Sequence, residues 1–140
     1  MRTVFVDTLY WLAVANPRDN WHEPAQAVRA RLGAVRLVTT DEVLNEFLTA
    51  VAGGGAFLRQ RAAAIVRTIL ADETVTVLPQ SRATFLAGLC LYESRTDKGY
   101  SLTDCISMSA MRAEGLSDVL TNDHHFEQEG FRVLIRRPGG

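Results

Sequence analysis

Four carboxylates stand where they can do chemistry together: Asp7, Glu46, Asp104 and Asp123. Asp7 ends an apolar run, Thr3-Val4-Phe5-Val6, and precedes Thr8-Leu9-Tyr10-Trp11-Leu12, which reads as a helix. Asp123 follows a second short extended stretch, Asp118-Val119-Leu120-Thr121. Glu46 and Asp104 each lie near the start of a predicted helix. Each acid has a plainer role when taken alone. Asp7 suits a helix cap, and Asp104 stands in capping-box spacing after Ser101. An Asp in a loop after a strand, as at Asp123, is common. Glu46 is the least easily explained. At about 100° per residue it falls at the edge of the stripe made by Val43, Phe47 and Leu48. That is one turn too deep to cap, and close to the core an ionised carboxylate is costly unless paired. A Lys or Arg, a metal, or a solvated head at the core boundary would each meet that need.

Their joint placement is more specific. In a parallel sheet with normally connected helices, strand ends and helix starts share one edge, so the four acids converge. Carboxylates crowded in one cleft repel, and some then keep a proton at neutral pH. A divalent cation relieves the conflict, and an all-oxygen set favours Mg²⁺ or Mn²⁺ over Zn²⁺. His124 and His125 adjoin Asp123, but no second nitrogen or sulfur cluster argues for zinc.

The elements that must position these acids follow in order. The first strand is apolar on both faces, as in a sheet covered on both sides. A helix over 8–15 is closed by the break Asn16-Pro17-Arg18-Asp19-Asn20. A second helix, 21–32, ends at Gly33 as a C-cap. Val35 to Thr39 is a strand, and Thr39 with Glu42 has capping-box spacing for a helix from about Thr40. Gly53-Gly54-Gly55 reads as a hinge between two helices; no Lys-Ser or Lys-Thr pair follows, so it is not a phosphate loop. The second arm, 57–71, offers Leu58, Ile65, Ile69 and Leu70 to the core and carries Arg59, Arg61 and Arg67. Thr74 to Leu78 is a strand suited to an edge before Pro79. A helix over 81–94 aligns Phe85, Leu86, Leu89 and Tyr92. After the polar turn Asp97-Lys98-Gly99-Tyr100, a helix runs from Ser101 to Glu114. Strands over 118–121 and 131–135 complete the chain, and the Arg-Arg-Pro-Gly-Gly tail is expected to be loose. Alternating strands and helices argue an α/β fold with a mainly parallel sheet.

The 140 residues suit a single domain, 1–140, with a real core. A net charge of −1 excludes a global basic footprint for nucleic acid, though not a local one. No apolar run approaches the roughly 18 residues of a membrane span, and no signal-peptide pattern opens the chain. The expected location is the cytoplasm. Cys90 and Cys105, each among apolar neighbours, read as small core residues rather than a disulfide.

Several segments carry a family resemblance. These are Asp7 after its strand, Glu46 within Thr-Asp-Glu-Val-Leu-Asn-Glu-Phe, Asp-Lys-Gly-Tyr-Ser-Leu-Thr-Asp-Cys-Ile-Ser through Asp104, and Thr-Asn-Asp-His-His-Phe around Asp123. Over nearly the whole chain they resemble the PIN-domain nucleases, and among these the virulence-associated protein C (VapC) type toxins of bacterial toxin–antitoxin pairs. The resemblance implies a three-layer α/β/α sandwich and Mg²⁺- or Mn²⁺-dependent cleavage of RNA to 5′-phosphate and 3′-hydroxyl ends. It also implies frequent homodimerisation and a small cognate antitoxin. Asp7, Glu46 and Asp104 are then the main metal set, with Asp123 a direct or water-mediated ligand. Thr8 and Thr103 match hydroxyl residues that would orient carboxylates or waters. A carboxylate-held metal makes a nucleophile of bound water and neutralises charge on the attacked phosphate.

Other residues carry two readings each. Lys98 either reaches a substrate phosphate or belongs to a solvated turn. His124 and His125 either touch RNA or stand passively beside the site. Trp11 and Trp21 either stack a base or pack. The three arginines either meet an acidic antitoxin segment or RNA, or form a solvated face. A haloacid-dehalogenase phosphatase needs a second Asp two positions after the first, where Leu9 stands, and a phospho-receiver domain needs an acidic pair and a late Lys that are not evident. A PIN-fold binding module without cleavage and a DNA-processing nuclease are the remaining alternatives.

Overall fold

A computed structural model describes residues 1–136. In chain order the elements are β1 (Thr3–Val6), α1 (Thr8–Ala15), α2 (His22–Leu32), β2 (Arg36–Thr40), α3 (Asp41–Val51) and α4 (Ala56–Ala71). Then follow β3 (Val75–Leu78), α5 (Arg82–Ser94), α6 (Leu102–Ala113), β4 (Asp118–Leu120), α7 (His124–Gln128) and β5 (Arg132–Val133). The tail past Arg136, expected to be loose, lies outside the described residues.

The strands form one five-stranded sheet in the order β3-β2-β1-β4-β5. Every pairing is parallel. The helices that connect parallel strands cover its faces, giving a three-layer α/β/α sandwich. β1 lies at the centre, paired with β2 through Val4–Leu37 and with β4 through Phe5–Val119. Val4, Phe5 and Val6 are fully buried, which explains the unbroken apolar run. The chain winds outward from β1 to β3, then returns to build β4 and β5 on the other side. The order therefore reverses at β1/β4, and the carboxyl ends of those strands open a crevice. β3 is an edge strand, as its neighbouring proline suggested. Gly33 closes α2 with φ 65°, and the glycine triplet forms the turn between α3 and α4. Among the described residues no helix is long and apolar enough to cross a membrane.

Local expectations shift in five places. β2 runs one residue further than read, so Thr40 rather than Thr39 caps α3 and its hydroxyl accepts from the Val43 amide at 3.0 Å. Thr39 is fully buried and donates to the Val6 carbonyl, tying β2 to the end of β1. Glu42 is consequently no capping-box partner; it accepts a 3.4 Å hydrogen bond from Thr84. The apolar stripe of α5 is not core: Phe85, Leu86 and Tyr92 are exposed, and so is Leu70 on α4. α5 instead turns Gly88 and Leu91 inward. A β-carbon at Gly88 would lie 3.1 Å from the Ile106 backbone, so the close approach of α5 to α6 needs glycine there. Cys105 is buried as expected but Cys90 is exposed, and both are free thiols. The last strand pairs only over Arg132–Val133, although Phe131 and Ile135 are still buried. The segment after Asp123, read as a loop, is the short helix α7.

Candidate metal centre

The crevice at the β1/β4 reversal is a cleft of about 500 Å³. Its lining includes Asp7, Thr8, Glu46, Asp104 and Asp123, so topology brings the four predicted acids to one place. Each arrives on a different element. Asp7 ends β1, Glu46 lies in the second turn of α3, Asp104 in the first turn of α6, and Asp123 caps α7.

Asp7 is 5% exposed. It occupies the N-cap position of α1, but its carboxylate makes no capping-type hydrogen bond further into the helix; its contact with the helix start is to the Thr8 amide alone. Its Oδ2 accepts from the Thr121 hydroxyl at 2.8 Å. Burial pushes its pKa up to about 7. Hydrogen bonds from Thr121 and the Thr8 amide oppose that rise, while the charges of Asp104 and Glu46 add to it. Glu46 is partly buried, at the core edge where its helical phase placed it. Its Oε1 accepts from the Thr8 hydroxyl at 2.5 Å.

Asp104 forms the capping box that the Ser101 spacing predicted. Its amide donates to Ser101 Oγ at 3.0 Å, and its Oδ2 accepts from the Ser101 amide at 3.1 Å. Burial raises its pKa, the Ser101 amide opposes this, and Asp123 raises it further. Asp123 Oδ1 accepts from the His125 amide at 2.9 Å. The structural and chemical roles therefore coexist in Asp104 and Asp123, since a carboxylate has lone pairs beyond those used by a cap.

Among the described residues no lysine or arginine lines the cleft, and a fifth acid, Asp19, stands at its wall. Hydrogen bonds alone do not neutralise this set. A divalent cation fits the donor chemistry: several carboxylate oxygens, hydroxyls and one imidazole nitrogen. Among the described residues, Asp104, Asp123 and His125 have ligand atoms within 4.8 Å of one another. His125 Nδ1 lies 3.3 Å from Asp123 Oδ1 and 3.8 Å from Asp104 Oδ2. That nitrogen is buried and has no hydrogen-bond partner among the described residues, which is costly for a polar atom unless a further group reaches it.

Residues 4–131 match the PIN domain family. The chain belongs to that family. Its PIN domain is 30% identical over 130 residues to the 23S rRNA-specific endonuclease VapC20 of Mycobacterium tuberculosis, found in two strains. The match covers 91% of this chain and 95% of the relative. The crystal structure of M. tuberculosis VapC20, a Sarcin-Ricin loop cleaving toxin, superposes with a TM-score of 0.81 at 24% identity. That superposition covers 91% of this chain and 95% of the other. FitAcB from Neisseria gonorrhoeae superposes with a TM-score of 0.62 at 18% identity, over 94% and 96% of the two chains. Both superpositions bear out the PIN fold read from the sequence, and the chain is a homologue of VapC-type endoribonucleases.

Two residues of this PIN site, Thr121 and Asp19, escaped the reading from sequence, and a third, His125, was read only as adjoining it. Thr121 was read only as a strand end, yet it is the hydroxyl that holds Asp7. His125 was left between passive and RNA-contacting, and its ring faces two of the acids. Asp19 was read only as part of a break; it lines the cleft while accepting from the Trp21 amide. The spacing of an acid, a hydroxyl and a histidine over 121–125 was the available signal. Thr8 holds Glu46, whereas Thr103, partly buried, makes no side-chain hydrogen bond among the described residues. Trp11 is core, 6% exposed and edge-on to Tyr10, and Trp21 forms part of the cleft wall. Lys98 does not line the acidic cleft; it lies in a neighbouring groove with Tyr92, Arg95 and Tyr100. His124 is largely exposed.

Proposed function

We propose that this chain is a Mg²⁺- or Mn²⁺-dependent endoribonuclease that cleaves ribosomal RNA as the toxin of a toxin–antitoxin pair in the cytoplasm. The observation that carries the reading is the convergence of four carboxylates, from four elements, into one cleft that no lysine or arginine among the described residues lines. Asp7, Glu46, Asp104 and Asp123 are the proposed ligands. When bound there, a divalent cation supplies Lewis-acid activation of water and charge neutralisation at the phosphate. The chain's own contribution is preorganisation. Thr8 orients Glu46, Thr121 orients Asp7, and Ser101 holds Asp104 at the start of α6. Thr103, in the first turn of α6, is proposed to orient water.

The ribosomal target is suggested by the name of the 30% identical relative, a 23S rRNA-specific endonuclease. An antitoxin partner is supported by the groove between α3 and α4, where Leu48, Val51 and Ala52 give an apolar floor and Arg59 a cation. A homodimer is supported by the exposed Phe85, Leu86 and Tyr92 on α5. The test is incubation of the purified protein with 23S rRNA and, separately, transfer RNA, in Mg²⁺ or Mn²⁺. Discrete 23S fragments, absent with EDTA and with Asp7→Asn, are expected. Undiminished cleavage in either control overturns the proposal.

A further inference from the structure

Asp123 and His125 ride on α7, a helix of five residues. A helix this short does not hold its own orientation, because nucleation is unfavourable and few bonds follow it. One anchor is Phe126, fully buried against Phe131. The other is Glu129, the residue that ends the helix. Its side chain is 5% exposed and accepts from Arg95 at 2.9 and 3.1 Å, from Arg112 at 2.9 Å and from the Tyr100 hydroxyl at 3.1 Å. Arg112 also donates to the Glu129 carbonyl at 3.0 Å.

These partners come from the end of α5, the loop before α6, and the last turn of α6. Tyr100 is the informative one. It is 5% exposed, its ring meets that of His125 edge-on at 5.3 Å, and its chain neighbour Ser101 caps α6 and holds Asp104. One carboxylate thus joins the segment leading to Asp104 to the helix bearing Asp123 and His125. Those are the residues whose ligand atoms share a 4.8 Å space.

We infer that Glu129, acting through Tyr100, is a positioning residue that sets the spacing of Asp104 and Asp123, with the His125 ring beside them, for a divalent cation. The inference rests on the metal-site reading above. Glu129 does not line the cleft, so its effect is on the geometry of ligands rather than on the ion directly.

The experiment measures Mn²⁺ affinity of the purified protein by the electron paramagnetic resonance signal of free Mn²⁺, alongside melting temperature and RNA cleavage. Wild type binds Mn²⁺, and Asp104→Asn weakens that binding. Glu129→Gln is expected to raise the Mn²⁺ Kd about tenfold, the loss usual for groups that orient metal ligands, with cleavage largely recovered at saturating Mn²⁺. Tyr100→Phe, which keeps the ring against His125, is expected to weaken binding by about two- to threefold; Tyr100→Leu, which also loses the ring contact, approaches tenfold. A lower melting temperature with unchanged Mn²⁺ affinity in Glu129→Gln and both Tyr100 variants overturns the inference, because that is a purely structural role. If Glu129→Gln fails to fold, the two Tyr100 variants decide. Wild type that binds no Mn²⁺ defeats the metal-site reading itself, and is distinguished by failing before any Glu129 variant is compared.

Discussion

Two groups of carboxylates stand in this fold, and the protein treats them in opposite ways. Glu129, at the end of α7, is enclosed by Arg95, Arg112 and Tyr100. Those bonds, the one from Arg95 foremost, hold its pKa at about 2. Asp118, at the other end of β4, is similar. Burial alone would raise it, but bonds from Arg132 and Arg2 overcome that and keep it below the ordinary carboxylate range. Among the described residues the cleft acids have hydroxyls, amides and two histidines around them, but no lysine or arginine. Asp7 is as little exposed as Asp118 but lies much deeper in the protein, and it moves the other way, up to about 7. Low exposure is common to both, so it does not separate them. Depth and counter-charge do: Asp7 lies deep without a cationic partner, whereas Asp118 and Glu129 receive arginines.

The sharpest way to break this contrast is Asp7→Asn. RNA cleavage is expected to fall by at least about a thousandfold, since members of one catalytic unit are not additive. The melting temperature is expected to hold or rise, because a buried, mutually repelling charge is removed while Thr121 keeps an acceptor. A large drop in melting temperature would assign Asp7 to the same class as Glu129.

Metal loading comes next. EDTA is expected to abolish cleavage, and Mn²⁺ at a hundred times its Kd to stabilise the protein by about 2.7 kcal/mol through mass action. Thermal melting with and without Mn²⁺ checks this; Asp104→Asn is expected to lose most of the rise.

The pH dependence of the metal-free protein then has opposite signs at the two groups. Glu129 falls from 4.5 to about 2 on folding. Its contribution is therefore present above about 4.5 and lost as pH falls through about 2. Asp7 rises from 3.8 to about 7. Its folded state holds a proton the unfolded chain has released, so that contribution is full below about 4 and lost as pH rises to about 7. Melting curves of EDTA-treated protein are expected to flatten between pH 4 and 7 in Asp7→Asn, and between about 4.5 and 2 in Glu129→Gln. The same slope in wild type and variant would remove the distinction between the groups.

The smallest effect concerns Thr121. Thr121→Val leaves Asp7 without its hydroxyl donor and is expected to cost about 1 kcal/mol in stability and about tenfold in cleavage. Chemical denaturation and rRNA cleavage rates measure the two. A variant with neither loss would show that Asp7 is positioned by the backbone alone.

The acids themselves were legible because their signals are local. Asp7 follows an apolar run, Glu46 falls out of phase with capping, and Asp104 completes a box with Ser101 three residues away. Their partners were not. Thr121 meets Asp7 across 114 residues of chain, and Glu129 meets Arg95 across 34. The α5 stripe shows the same limit from another side. Its periodicity marked an apolar face, but Gly88 against Ile106 decided which side faces inward. The Thr39/Thr40 shift is smaller in kind: both are β-branched, so local preference does not say where strand yields to helix.

What the sequence determined alone is therefore the elements other than α7, the parallel sheet and the four acids as candidates. Each depends on residues a few positions apart. Only the tertiary structure decided which carboxylates receive an arginine and which are left facing one another. That choice depends on separate elements meeting at the β1/β4 reversal, where a buried charge without a counter-charge creates the demand for a cation.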